Sequence, residues 1–194
     1  MKIAIIKYNA GNIRSVQFSL QRLGYSSDVT DDIQTIKSAD RVIFPGVGEA
    51  GSTMRYLAEK GLDELITGLT QPVLGICLGL QLMCGHSEEG NTNCMGIFGN
   101  EVRKFDPVMN VPHMGWNSLE RMKGVLFKNV PADSYVYFVH SFYATTGANT
   151  IASCDYINEF SAALHEGNFY ATQFHPEKSG ETGARILKNF IEEL

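Results

Sequence analysis

Between Pro72 and Gln81 the chain reads PVLGICLGLQ, and this decapeptide narrows what the rest can be. Val73-Leu74-Gly75-Ile76 is an apolar run that carries straight into Cys77, and Leu78 to Met83 continue in a helix-compatible pattern. Glycines stand two residues either side of the cysteine, giving Gly-x-Cys-x-Gly, the cysteine form of a nucleophile elbow. In such an element a buried strand turns sharply into a helix. The residue at the bend takes a strained backbone, and the flanking glycines leave room for neighbouring chain. The bend holds Cys77 at the carboxyl end of the sheet. The free N–H groups and positive end of the helix that follows favour thiolate. A buried core cysteine in a βα turn fits the same ten residues, because cysteine is among the most buried residue types.

The elbow sits at the end of a βα alternation. Lys2–Lys7 reads as a strand, and Tyr8–Asn12 as a turn. Ile13, Val16, Leu20 and Leu23 recur at helical spacing, with Gly24 where a terminating glycine belongs. The Gly11 turn lacks both GxGxxG and a P-loop lysine, so it does not indicate a phosphate cradle. A weak strand at Ser27–Val29, a short helix at Asp31–Lys37 and a strand at Arg41–Pro45 follow. Met54, Leu57, Ala58, Leu62, Leu65, Ile66 and Leu69 share one helical face, interrupted at Gly61. This half predicts a mostly parallel central sheet covered by helices. The second half reads differently. Gly85–Asn100 is a loop in Gly, Asn and acidic residues. Strand-like runs follow at Glu101–Phe105, Met114–Leu119, Tyr135–Phe142, Thr150–Ser153, Ala162–His165 and Phe169–Phe174. They predict an antiparallel β extension on the parallel sheet. Ser179 is the expected N-cap of a last helix that buries Ala184, Leu187, Phe190, Ile191 and Leu194. The α/β pattern runs without repeat or linker, so one domain over residues 1–194 is expected.

A base for Cys77 is sought near the C-terminus. The run Phe169–Phe174 leads into His175-Pro176-Glu177-Lys178. In an extended segment residues two apart point to one side, so His175 and Glu177 can act together. A carboxylate on one imidazole nitrogen leaves the other facing a nucleophile. Pro45-Gly46-Val47-Gly48, at a strand end, is the candidate source of one oxyanion donor, and Leu78 N–H of the other. Taken singly, His-Pro-Glu fits a surface turn and the glycine stretch an ordinary βα turn.

Composition excludes several classes. Net charge is −5 with no Lys/Arg cluster, which argues against nucleic acid or an anionic membrane as partner. The first apolar run, Ile3–Ile6, is too short for a signal peptide or a membrane span. Cys77, Cys84, Cys94 and Cys154 show no CxxC pairing, and the histidines no zinc-type spacing. Free thiols in a cytoplasmic protein, without metal or cofactor, are expected. Cys84 is expected in the core, about two helical turns from Cys77.

Three segments in this order, Pro45–Gly48, Gly75-Ile76-Cys77-Leu78-Gly79-Leu80-Gln81 and His175-Pro176-Glu177, resemble the class I (triad) glutamine amidotransferases over essentially the whole chain. The resemblance implies that Cys77 attacks the carboxamide of glutamine, with His175 as acid and base and Glu177 orienting it. Gly48, Gln81, Glu89, Ser141 and Phe142 would hold the substrate, Glu89 through its α-ammonium. An acidic solvated loop is the other account of Glu89. Tyr8–Asn12, Pro112–Asn117, Tyr137–Ser141 and His175–Ser179 resemble the members that feed ammonia to a separate cyclase, a (β/α)8 barrel of histidine biosynthesis. Trp116, Tyr137 and Lys178 lie in segments that face that cyclase in a heterodimer, though Trp116 or Tyr137 also fits a core position. A paralogue serving surface-sugar biosynthesis, a stand-alone γ-glutamyl cysteine hydrolase and an idle subunit compete with this. The intact Cys77, His175 and Glu177 argue against the last. Val47 adds a regulatory expectation. A β-branched residue resists positive φ, so an oxyanion donor there can stay unformed until the partner is liganded.

Overall fold

The computed structural model describes residues 1–8 and 12–194. The turn expected at Tyr8–Asn12 falls largely on residues 9–11, outside the described part. Among the described residues the first half runs β1 (Ile3–Ile6), α1 (Ile13–Arg22), β2 (Asp28–Thr30), α2 (Ile33–Lys37), β3 (Arg41–Gly46), α3 (Ala50–Glu59), α4 (Leu62–Thr67), β4 (Val73–Cys77) and α5 (Leu78–Met83). The second half runs β5 (His86–Ser87), β6 (Thr92–Asn93), β7 (Glu101–Lys104), β8 (His113–Ser118), β9 (Tyr135–His140), β10 (Phe142–Ala144), β11 (Thr150–Tyr156), β12 (Asn158–Glu166), β13 (Phe169–Thr172) and α6 (Gly180–Glu192).

The main sheet has the order β11-β12-β13-β4-β3-β1-β2. Its five strands from β13 to β2 are parallel, and β12 and β11 are added antiparallel at one edge. The parallel core and the antiparallel extension therefore both form as the sequence pattern predicts. Period-two alternation sends Ile3 and Ile5 to one buried layer and Ala4 and Ile6 to the other. The first layer also takes Val16 and Leu20 of α1 and Leu187 and Phe190 of α6. The second takes Leu57 of α3 and Leu62 and Ile66 of α4. Apart from Ala4, each of these is a fully buried large side chain, worth ~2 kcal/mol of transfer apiece. With helices on both faces, β4 is buried at all five positions, which is why Val73–Cys77 reads as a continuous apolar run.

The helix ends follow local chemistry. Gly24 takes φ +89, and Tyr25 N–H reaches the carbonyl of Leu20, which closes α1 as expected. Gly61, at φ +65, divides the apolar face of Met54–Leu69 into α3 and α4. Four expectations are corrected. Gly85–Asn100 is not all loop, because β5 pairs with β6 and with β7, and β10 on the far side of β7 completes a small second sheet. Tyr135–Phe142 is two strands broken at Ser141, with β9 paired to β8 and β10 to β7. Ser179 stands at the N-cap of α6, but its hydroxyl donates to His175 O (2.7 Å) and accepts from Tyr137 N–H (2.9 Å) instead of capping the helix. Leu194 lies past the end of α6, though it packs against the first layer.

Candidate active site

The elbow forms where the sequence places it. Cys77 ends β4 with φ 56 and ψ −107, a backbone that non-glycine residues adopt at a cost of about 1–3 kcal/mol. The glycines explain how it is tolerated. A Cβ on Gly79 would overlap the carbonyl oxygen of Phe44, and one on Gly75 would come within 2.9 Å of Met83 Sδ. Gly46 pairs in register with Cys77, which brings Pro45–Gly48 alongside the nucleophile. Tyr8 fixes that strand end by donating its hydroxyl to Pro45 O (2.6 Å), and its own pKa is raised by burial and by Cys77. Val47 is not among the residues with positive φ; Gly48 takes the unusual value, +138. The helix after the elbow has only six residues, so its dipole gives the sulfur less than a long helix would.

His175 and Glu177 come together, but not through an extended segment. Pro176–Lys178 is a 3₁₀ turn with proline in its first position, and its tight winding brings His175 Nδ1 to 2.8 Å from Glu177 Oε1. Both side chains are fully buried. Glu177 accepts, so Nδ1 carries a proton and Nε2 is left for the cysteine. Nε2 has no conventional hydrogen-bond partner. Burial alone would lower the imidazole pKa. The Cys77 sulfur and the Glu177 carboxylate outweigh it and raise the pKa to about 10, which favours the imidazolium form of the ring. The 3₁₀ turn is fixed to β9, since His175 N–H donates to Tyr137 O (2.9 Å).

Sequence reasoning missed Asn12. It is the N-cap of α1 yet caps nothing; its buried amide donates to Glu177 Oε1 and lies 3.2 Å from His175 Nδ1. Because Nδ1 is a donor here, the carboxylate is the true acceptor. In the sequence it stood only as the last residue of Tyr8–Asn12, read as a turn.

A cavity of about 350 Å³ opens over the sulfur. Val47, Gly48, Cys77, Leu78, Gln81, Glu89, Ser141 and Phe142 all line it, as do Pro112, Val139 and His140, which stood in family-like segments without an expected place at the site. Gln81 Nε2 donates to Phe142 O (2.8 Å) and to Gln173 Oε1 (3.0 Å), so only its own carbonyl oxygen is left for a ligand. Glu89 Oε2 accepts from Ala50 N–H (2.8 Å). Burial raises the Glu89 carboxyl pKa, Ala50 N–H opposes the rise, and the Glu49 carboxylate adds to it. A cationic ligand group at this position would restore the charge.

Behind the wall, His140 Nδ1 donates to Phe142 O (2.8 Å), so its Nε2 accepts from His113 Nδ1 (3.1 Å). Burial keeps both rings neutral, with pKa values lowered to about 3 for His140 and about 4 for His113. The opposite face of β8 and β9 is exposed. Trp116 is 55% exposed and packs edge-on to Tyr137 at 6.1 Å, while Lys178 Nζ stands 5.8 Å from the Tyr137 ring centroid. Met114 and Tyr135 extend this apolar face. The three residues expected at a partner surface thus lie in one cluster on the solvent side of the site.

A buried thiol at a strained bend, a carboxylate-oriented imidazolium and a cavity above them can perform acyl transfer through a thioester. The chain belongs to the class-I glutamine amidotransferase family, whose model matches residues 4–194. It is 60% identical over 195 residues to the imidazole glycerol phosphate synthase subunit HisH of Bacteroides fragilis (strain YCH46), covering 99% of this chain and 100% of that one. It is 47% identical to the subunit of the same name from Pasteurella multocida (strain Pm70), covering 99% of this chain and 98% of that one. Among solved structures, that of PurLQS from Thermotoga maritima has a similar fold, with a TM-score of 0.75, 16% identity and coverage of 99% and 98%. A crystal structure of a glutamine amidotransferase also gives 0.75, at 17% identity and 97% coverage of each chain. No described helix is long and apolar enough to cross a membrane.

Proposed function

We propose that the chain is the glutaminase subunit of an imidazole glycerol phosphate synthase. It hydrolyses glutamine in the cytoplasm and passes ammonia to a cyclase subunit, a (β/α)8 barrel, in histidine biosynthesis. The observation that carries this is end-to-end identity of 60% to subunits so named. The thiol, imidazole and carboxylate grouped beneath one cavity support it.

The thiolate of Cys77 attacks the carboxamide carbon of glutamine. The N–H groups of Val47 and Leu78 receive the oxyanion. The His175 imidazolium gives its Nε2 proton to the departing nitrogen, which leaves as ammonia. Water then attacks the γ-glutamyl thioester, His175 takes the water's proton, and the C–S bond breaks to release glutamate and the thiolate. Glu177, held by Asn12, keeps the ring in the tautomer that serves both steps. Gln81 Oε1 accepts from the substrate, and Gly48, Ser141 and Phe142 complete its seat. The free oxygen of Glu89 pairs with the α-ammonium. The domain handles the glutamine half alone, and the cyclase docks on Trp116, Tyr137 and Lys178, where exposed aromatics suit an interface anchor.

The test is Cys77→Ala in the assembled complex. Glutamine-dependent synthesis should vanish while ammonia-dependent synthesis by the partner survives. Glutamine-dependent turnover that persists without the thiol would refute the assignment.

A further inference from the structure

The sulfur of Cys77 has two polar neighbours that pull in opposite directions. Val139 O lies 3.9 Å away and can only accept, so it favours the protonated thiol. Gln173 Nε2 lies 3.8 Å away and can only donate, so it favours the thiolate. Which end of the Gln173 amide faces the sulfur follows from its neighbours. Phe142 O is an acceptor, so the group of Gln81 that meets it is the NH₂. The second hydrogen of that NH₂ goes to Gln173, whose carbonyl oxygen must therefore face Gln81. That leaves the Gln173 NH₂ toward the sulfur. Gln173 is completely buried, and its backbone N–H is bound to Ala162 O (2.8 Å), so the side chain is fixed at both ends.

We propose that Gln173 is a catalytic residue of this site: its amide donates to the Cys77 sulfur and holds the thiolate, while its carbonyl oxygen ties that donor to Gln81. This rests on Cys77 being the nucleophile. It also gives a reason for thiolate that the six-residue α5 supplies only weakly. The donor is joined by one hydrogen bond to Gln81, which lines the cavity, so a ligand that moves Gln81 also moves the group stabilising the nucleophile.

The experiment follows alkylation of Cys77 by iodoacetamide in the full chain, read by mass spectrometry of the Cys77 peptide, in wild type and Gln173→Met. Methionine keeps the length and burial but has no donor. His175, just before the 3₁₀ turn, and Tyr8 after β1 act on the sulfur, Glu89 and His140 of β9 line the cavity above it, and the substitution leaves all four in place. At pH 7 the variant should be alkylated about tenfold more slowly, with the deficit closing as pH rises. With the partner present, kcat for glutamine should fall more than KM rises. A purely structural role would lower the melting temperature without changing the pH profile. A folded variant alkylated at the wild-type rate at pH 7 overturns the proposal. A second measurement needs no substitution at Gln173. Its side-chain amide resonances should shift with pH as Cys77 ionises and lose that shift in Cys77→Ala; resonances indifferent to pH overturn the proposal too. Glutamine hydrolysis that survives Cys77→Ala would instead refute the nucleophile, so the two failures are distinguishable.

Discussion

Glu177→Gln isolates the charge of the carboxylate from its shape. In the native site Oε1 accepts from His175 Nδ1 and from Asn12, and Oε2 is buried with no partner. Glutamine can place its carbonyl oxygen where Oε1 was, so the imidazole tautomer survives. Its NH₂ must then occupy the Oε2 position, where no acceptor waits. A buried unsatisfied donor costs about 1–3 kcal/mol, and melting should fall by roughly 6 °C for 2 kcal/mol in a chain of this size. The catalytic loss comes from the missing charge. A hydrogen bond to an ionised partner contributes ~1.5–3 kcal/mol, so the imidazolium that forms again as His175 takes the water's proton is stabilised less, and that step slows by about 10- to 150-fold. Steady-state glutaminase kinetics of the assembled complex should place this loss in kcat. Glu177 does not line the cavity, so KM for glutamine should stay within about twofold. A kcat within threefold of wild type, or a loss confined to KM, would refute the orienting role.

Other outcomes follow from the same geometry. The His175 pKa is raised in the folded chain, so its stabilisation is complete below the ordinary value near ~6.5 and is lost as pH passes about 10. Melting temperature should therefore fall more steeply between pH 8 and 10.5 in wild type than in Glu177→Gln; parallel profiles would contradict it. His113 and His140 titrate in the opposite sense. Their folded values are depressed, so stability is present above about 6.5 and lost toward acid, by ~2 kcal/mol for each ring at pH 5. Urea midpoints at pH 7.5 and 5 should show the loss, and His113→Phe should roughly halve it. Trp116→Ala should weaken cyclase binding by about 30-fold in calorimetry while melting of the isolated chain is unchanged, as suits an anchor that is 55% exposed. Finally, the isolated chain should hydrolyse glutamine slowly and Val47→Gly should raise that basal rate. Full activity of the unpartnered wild type would sink the idea that Val47 restrains the oxyanion donor.

What the sequence revealed, and what it hid, divides by the range of the interaction. Gly75 and Gly79 could be read because their cause is local: a tight bend needs small residues two positions either side of the cysteine. The βα alternation could be read for the same reason, since burial on both faces leaves apolar runs such as Val73–Ile76. Two-residue strands have no periodicity, so β5 and β6 looked like loop. His175 and Glu177 were paired correctly on a mistaken geometry, because two residues apart is close both in an extended chain and in a 3₁₀ turn. Their other partners could not be inferred at all. Asn12 and Glu177 are 165 residues apart, Gln173 and Cys77 are 96, and nothing about an asparagine at a helix start or a glutamine after a strand points across such distances. The residues legible in sequence are those whose backbone needs them. The less legible ones fix protons: Asn12 on the carboxylate, Gln173 on the sulfur, His140 and Gln81 sharing the carbonyl of Phe142. The elbow puts a thiol in place, but the buried hydrogen-bond directions around it decide whether that thiol is a nucleophile, and those directions exist only once the chain has folded.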